Sequence, residues 1–238
     1  MDFKKQIIED YFKDLKFYSE GHKYLINNKE ILSVSSLLYS FIEKIDWSKK
    51  TAKTEKKLGI SQAEVLKLWE ENKNNAAKKG SKVHHYAEHE IGFRIPESPQ
   101  EVAILKFFLD LNQSRYKIIH KELSMYHKKY YYSGTSDLII YDTFTDTYII
   151  ADYKTNSNLF KNFAEQKLLY PFDELLDSPY SKYELQLSFY QILLEQTGIK
   201  VSERWLIWVK EDGEYEIYKT NDYTERLENW LTDKTFYK

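Results

Sequence analysis

Residues 134–154 read GTSDLIIYDTFTDTYIIADYK. Two apolar runs, Leu138 to Tyr141 and Tyr148 to Ala151, flank the polar segment Asp142 to Thr147. Apolar, β-branched runs of strand length around turn formers predict a β-hairpin. With the turn centred between Phe144 and Thr145, paired residues have numbers that sum to 289, so Asp137 faces Asp152. Side chains directly opposite one another sit roughly 4.5–5.5 Å apart at Cβ, close enough for two carboxylates to share one cation. Lys154 follows Asp152 by two residues and projects from the same face of its strand. Two acids and a lysine converging at the end of apolar strands predict a metal-dependent hydrolytic site.

Bulk properties narrow the class. A chain of 238 residues suits one domain with an elaboration, and 42% hydrophobic residues supply a substantial core. No apolar run approaches the ~20 residues that span a bilayer, and the first residues, MDFKKQIIEDYFKDLKFY, lack a signal peptide's apolar core. The expectation is a cytoplasmic protein without membrane association. Without cysteine there is no disulfide, Cys-ligated zinc or iron–sulfur cluster. A net charge of −2 argues against an all-over basic surface, yet a phosphate-binding footprint is local. Lys49, Lys50, Lys53, Lys56 and Lys57, then Lys78, Lys79 and Lys82, form either a solvated face or one that touches DNA.

Along the chain, Ile7, Ile8, Tyr11, Phe12 and Leu15 mark a helix over 2–18. His22 to Leu32 predicts a small hairpin turning at Asn27-Asn28, followed by a short helix from Ser33. Ser61 and Glu64 form a capping-box pattern, and Gly80 is expected to interrupt or end that helix. A second segment from Ser81 to Ile91 carries His84 and Glu88 on one face. Ser98-Pro99 starts another helix, and Tyr116 to Ser124 reads as a strand before a polar turn. Residues 156–180 read as loop, and Lys182 to Gln196 as a helix stopped by Gly198. Trp205 to Lys210 and Glu214 to Thr220 pair as strands before a closing helix, Asp222 to Lys234. The fold class is α/β (α+β): a central mixed β-sheet flanked by helices. One domain, 1–238, is expected, with a mostly helical elaboration at 1–79 and the core at 80–238.

Magnesium takes hard oxygen ligands and is held by one or two carboxylates while keeping several waters. Asp137 and Asp152 supply those carboxylates, and the carbonyl of Tyr153 is a third candidate ligand. Such a cation polarises a phosphodiester oxygen and acidifies a bound water. Lys154 either positions or helps deprotonate that water, or neutralises charge developing in the transition state. The tripeptide Asp152-Tyr153-Lys154 by itself is equally a surface salt bridge. Acids bracketing apolar strands favour the catalytic reading, because a charge beside a buried strand is costly unless paired or metal-bound.

Four blocks in order then resemble the PD-(D/E)XK nuclease superfamily, particularly its RecB-type and phage exonuclease branches. Gly80 to His84 with Glu88 is similar to a G-x-x-x-H-x-x-x-E helix, and Gly134 to Asp137 to a G-x-x-D strand start. Asp152 to Thr155 is similar to a D-x-K-T block, and Gln186 to Tyr190 to a Q-x-x-x-Y helix. The likeness covers residues 80–190 and extends to the strand and turn at 24–38. It implies a restriction-endonuclease-like core, His84, Asp137 and Asp152 as metal ligands, and Lys154 as the catalytic lysine. Glu88 would orient the site or hold a second ion, and Gln186 and Tyr190 would contact DNA or support the lysine. Glu122 and Thr155 would stand just behind these groups.

The resemblance implies a Mg²⁺- or Mn²⁺-dependent DNA exonuclease that trims duplex ends in recombination, repair or replication. Its setting would be a bacterial cell or a phage-infected host, with a single-strand annealing protein or recombinase as partner. A structure-specific endonuclease is the alternative, as is a catalytically silent nucleic-acid-binding module. The intact Asp137, Asp152 and Lys154 set argues against the silent module.

Overall fold

A computed structural model describes residues 2–18, 20–21, 23–162 and 166–233. His22, expected to open the first hairpin, and Lys234, expected to end the last helix, lie outside the described residues. The chain divides into two compact units, one formed by 1–42 with 96–238 and the other by 43–95.

The first unit begins with α1 (Asp2–Phe12), β1 (Leu15–Tyr18), β2 (Lys23–Ile26), β3 (Lys29–Ser33) and α2 (Val34–Leu38). The expected helix over 2–18 therefore stops at Phe12. Leu15 continues the helical stripe in sequence, but it pairs with Ile26 across β1 and β2. Pairing with a neighbouring strand outweighs local periodicity there. The β2–β3 hairpin turns at Asn27 and Asn28 as expected, with φ of 50° and 62°, the left-handed pair that a two-residue turn requires. Ser33 caps α2 by accepting a hydrogen bond from the Ser36 N–H.

In the second unit, α3 (Trp47–Leu58) ends at Gly59, and α4 (Gln62–His85) begins at the capping box of Ser61 and Glu64. Gly80 neither breaks nor ends α4. One interior glycine costs about 1 kcal/mol relative to alanine, which a 24-residue helix absorbs. A five-residue π-helical segment, Tyr86–Glu90, follows and carries Glu88.

The first unit resumes with α5 (Pro99–Asp110), β4 (Tyr116–Tyr126), β5 (Tyr132–Asp142), β6 (Thr147–Lys154), α6 (Pro179–Glu195), β7 (Val201–Val209), β8 (Tyr215–Lys219) and α7 (Thr224–Asp233). Helix α6 starts three residues before Lys182. Pro179 does not break it but occupies its first turn, behind the Ser178 cap.

The eight described strands form one mixed sheet, which includes β1–β3. Strand β5 is central. It pairs antiparallel with β4 from Ser133 to Asp142, and with β6 from Leu138 to Asp142. Leu138 meets Ala151 and Asp142 meets Thr147, the register predicted from the sequence. Strand β7 adds to β6 in parallel, and β8 adds to β7 antiparallel. Helix α6 covers one face of the sheet, sharing a core with Ile139, Tyr148, Ile150 and Leu206. It is buried nearly all round, from Glu184 to Leu194. Helix α5 covers the other face, where the Phe107 ring meets Tyr153 edge-on at 6.2 Å.

Candidate active site

One edge of β5 changes partner along its length, and the site lies at the change. Strand β4 occupies one edge throughout. On the other edge β3 pairs only with Tyr132 and Ser133, and β6 begins only at Leu138. Gly134, Thr135, Ser136 and Asp137 span the gap, and their backbone groups on this edge face no strand.

Side chains fill that gap. The Tyr190 ring of α6 lies against Gly134 so closely that a Cβ there would stand 2.4 Å from its Cε1. Thr135 Oγ1 shares hydrogen bonds with the Tyr24 hydroxyl and Ser124 Oγ, both at 2.8 Å. The Ser136 hydroxyl donates to the carbonyls of Leu138 and Ala151. Asp137 Oδ2 accepts the Tyr153 N–H at 2.6 Å, replacing the partner that β6 loses where it leaves β5. This hydrogen bond fixes the Asp137 carboxylate at the head of the gap.

Asp152 is 2% exposed and Asp137 5% exposed, and ionised carboxylates this deep need a cation. Lys154 pairs with Asp152 Oδ2. Burial in itself disfavours the Lys154 ammonium, but the Asp152 and Asp137 carboxylates outweigh it and hold the lysine above its ordinary pKa. The lysine is a fixed cation at neutral pH. Its Nζ lies 4.7 Å from the centre of the Tyr183 ring, a cation–π contact.

Glu122 joins the site through an unusual backbone. By register it lies opposite Asp137, between the pairs Lys121–Leu138 and Leu123–Ser136, yet it interrupts the pairing with a φ of 50°. A non-glycine residue in this region costs about 1–3 kcal/mol and persists where the surroundings impose it. A Glu122 carboxylate oxygen comes within 4.8 Å of one on Asp137, a separation that one cation can bridge. Oxygen donors of this kind, buried on Asp137 and half-buried on Glu122, can hold a metal ion.

The remaining predicted residues are placed as follows. Gln186 is buried, its Oε1 has no hydrogen-bond partner among the described residues, and it lines an open cavity of about 350 Å³ with Ser35, Tyr39, Asn156 and Tyr183. Tyr190 is 5% exposed, and burial pushes its phenol well above the ordinary value; its visible role is packing on Gly134. Thr155 is half-buried just past β6, and its side chain makes no hydrogen bond among the described residues. In the helical unit, His84 is half-buried in the last turn of α4, and Glu88 lies 3.0 Å from His89 Nε2.

Tyr183 is the residue that sequence reasoning missed. It lies three residues before Gln186 and seven before Tyr190, so helical spacing from the Q-x-x-x-Y block would have found it. Its hydroxyl donates to Asn156 Oδ1 at 2.7 Å, tying α6 to the segment just after β6.

No family model matches the chain, and no curated protein does. Among solved structures it is similar to SSO0001, at 14% identity and a TM-score of 0.39, over 97% of this chain and 84% of that one. It is also similar to a protein from Eubacterium rectale described as "Putative exonuclease", at 17% identity and a TM-score of 0.42. That likeness covers 66% of this chain and 63% of the other, so the chain spans just under two thirds of its length. At these scores neither likeness bears on function. Among the described residues, no helix is long and apolar enough to cross a membrane.

Proposed function

We propose that the protein is a divalent-metal-dependent nuclease that hydrolyses phosphodiester bonds in DNA. The observation that carries this reading is the gap in β5. It brings Asp137, Asp152, Lys154 and Glu122 to one place, three of them in blocks that resemble the PD-(D/E)XK pattern in its order. Asp137, Asp152 and Glu122 would hold Mg²⁺ or Mn²⁺, with the Tyr153 carbonyl as a further ligand. His84 and Glu88 enter through their sequence motif, and Thr155 through its place in the D-x-K-T block.

When bound, the cation supplies positive charge at a phosphodiester oxygen and acidifies a water. The chain's own groups do the rest. Lys154, held as a cation by Asp152 and Asp137, neutralises charge gathering on the phosphoryl oxygens in the transition state. Asp137 is kept in place by the Tyr153 N–H, so little reorganisation accompanies the reaction. Gln186 lines the cavity beside Tyr183, where its side chain would meet a nucleotide. Tyr190 supports the site by packing behind Gly134.

The finer reading is an exonuclease acting at duplex ends in recombination or repair, in a bacterial or phage-infected cell, beside an annealing protein or recombinase. End-labelled linear DNA and covalently closed circles incubated with Mg²⁺ or Mn²⁺ test it. Loss of the linear form alone supports an exonuclease, and cutting of the circle makes the protein an endonuclease. Lys154→Ala is expected to lower the rate at least ~100-fold. No cleavage of any DNA by wild type overturns the enzyme in favour of a binding module.

A further inference from the structure

The helical unit carries a charge of the opposite sign to the rest of the chain. Residues 43–95 contain twelve Lys and Arg against eight Asp and Glu, a net of +4 within a chain of net −2. The excess is concentrated on α3. With 3.6 residues per turn, Lys49, Lys50, Lys53, Lys56 and Lys57 fall within about a third of the helix circumference. All five are exposed. The opposite side holds Thr51, with Trp47 and Thr54 between it and Lys50. Thr51 is buried, and Trp47 meets Trp69 of α4 edge-on at 6.0 Å.

Lys49 has an exposed ion pair with Asp46 at 3.3 Å. Lys50 lies over the Trp47 ring at 5.0 Å. Among the described residues, Lys50, Lys53, Lys56 and Lys57 make no ion pair. Like charges at this spacing repel one another along a helix, so the face is unfavourable until an anion covers it. From Lys49 to Lys57 it extends about 12 Å, at 1.5 Å per residue. That matches three to four phosphates of one strand at about 3.4 Å each. Trp47, 55% exposed at the edge of this face, adds a ring on which an unpaired base can stack.

We propose that the lysine face of α3 holds the phosphate backbone of the nucleic acid on which the protein acts. This rests on the nucleic-acid reading of the site, but it concerns binding and not cleavage. Backbone contacts of this kind carry no sequence preference and are strongly salt-dependent.

The test is fluorescence anisotropy of a labelled single strand and its duplex with the full chain in EDTA, from about 50 to about 200 mM salt. The K49Q/K53Q/K56Q/K57Q variant removes four charges, and glutamine preserves helix propensity. A control, K13Q/K16Q/K29Q/K200Q, removes four exposed charges from the other unit. The slope of log K against log salt is expected to fall by about 2.8 on the single strand and about 3.6 on the duplex for the α3 variant. The wild type would therefore lose about 50-fold to about 150-fold more affinity over this range than the variant. The control should keep the wild-type slope. An unchanged slope in the α3 variant, an equal fall in the control, or no wild-type binding at the lowest salt each overturns the proposal. Salt-sensitive binding without cleavage would leave it standing while the nuclease reading fails, and cleavage with an unchanged slope would do the reverse.

Discussion

Replacing Gly134 with alanine adds one methyl group to the gap in β5. That Cβ would stand 2.4 Å from Tyr190 Cε1, 3.1 Å from Tyr190 Cδ1 and 3.1 Å from Val34 Cγ2. Ordinary contacts begin at 3.4 Å, so the ring must retreat by about 1.0 Å. Tyr190 cannot swing away, because it is buried among α6, Val34 and the strands. Overpacking of a filled core costs about 1–3 kcal/mol. In a chain of this size that lowers Tm by about 2–12 °C. Urea or thermal unfolding followed by circular dichroism measures it. The contact is assigned by a double-mutant cycle with Tyr190→Leu, which removes the ring atoms that clash. Gly134→Ala should cost at least ~1 kcal/mol less in the Tyr190→Leu background. A wild-type-like Gly134→Ala protein, or an equal cost in both backgrounds, refutes the packing explanation. Asp137 lies three residues on, and displacing a reacting group by 1 Å can cost ~100-fold in rate. Cleavage by Gly134→Ala should therefore fall by more than the loss of folded protein explains.

Three further outcomes follow from the same geometry. Glu122→Gly relieves a left-handed backbone position, so stability should hold or rise by up to ~1 kcal/mol, while the Mg²⁺ concentration for half-maximal cleavage rises at least ~10-fold; a loss of stability with unchanged metal dependence would remove Glu122 from the site. Gln186→Leu removes a buried acceptor without a partner, which costs about 1–3 kcal/mol to maintain, so unfolding should show an equal or more stable protein, while KM for DNA rises; an unchanged KM means that the cavity does not meet the substrate. Asp142 accepts the Arg115 Nε–H on both carboxylate oxygens, at 3.0 and 3.1 Å, and the Nη2–H at 2.6 Å, and this pairing lowers its pKa to about 2 despite burial. Its folded pKa lies below the unfolded value near 3.9, so the stabilisation is full above about pH 4 and is lost as pH falls toward 2. The loss should be about 1–2 kcal/mol after solvent screening of the arginine. Unfolding of wild type and Asp142→Asn should differ at pH 6 and converge near pH 2, and a constant difference would contradict this.

Local chemistry made much of the chain legible. Alternation of apolar and polar runs placed the β5–β6 hairpin and its register, because a slip of one residue would turn Ile139 and Ile150 away from the core. Ser61 with Glu64 and Ser98 before Pro99 placed two helix starts, and Asn27-Asn28 a tight turn, because each satisfies or shapes the backbone within a few residues. Asp137, Asp152 and Lys154 were visible for the same reason, since alternation along each strand of the hairpin puts them on one face, although the pairing itself ends at Leu138 and Ala151.

Other features were decided between segments far apart in the chain. Leu15 left its helical stripe because β2 offered strand hydrogen bonds to the segment from Leu15 to Tyr18. Pro179 began α6 because the Ser178 cap and a buried groove over the sheet accepted a helix there. Gly80 stayed inside α4 because a single glycine is a small penalty within a long helix. The site itself depends on β3 and β6 pairing with different parts of one β5 edge, separated by more than a hundred residues of sequence. Only that arrangement leaves four residues without a strand neighbour on that edge, sets the Tyr190 ring on Gly134 and gives Asp137 the Tyr153 N–H. The sequence by itself determined which side chains the hairpin presents, through spacing and register. Tertiary structure decided that they converge in a gap, because the strands bordering a gap come from distant segments whose pairing no local pattern encodes.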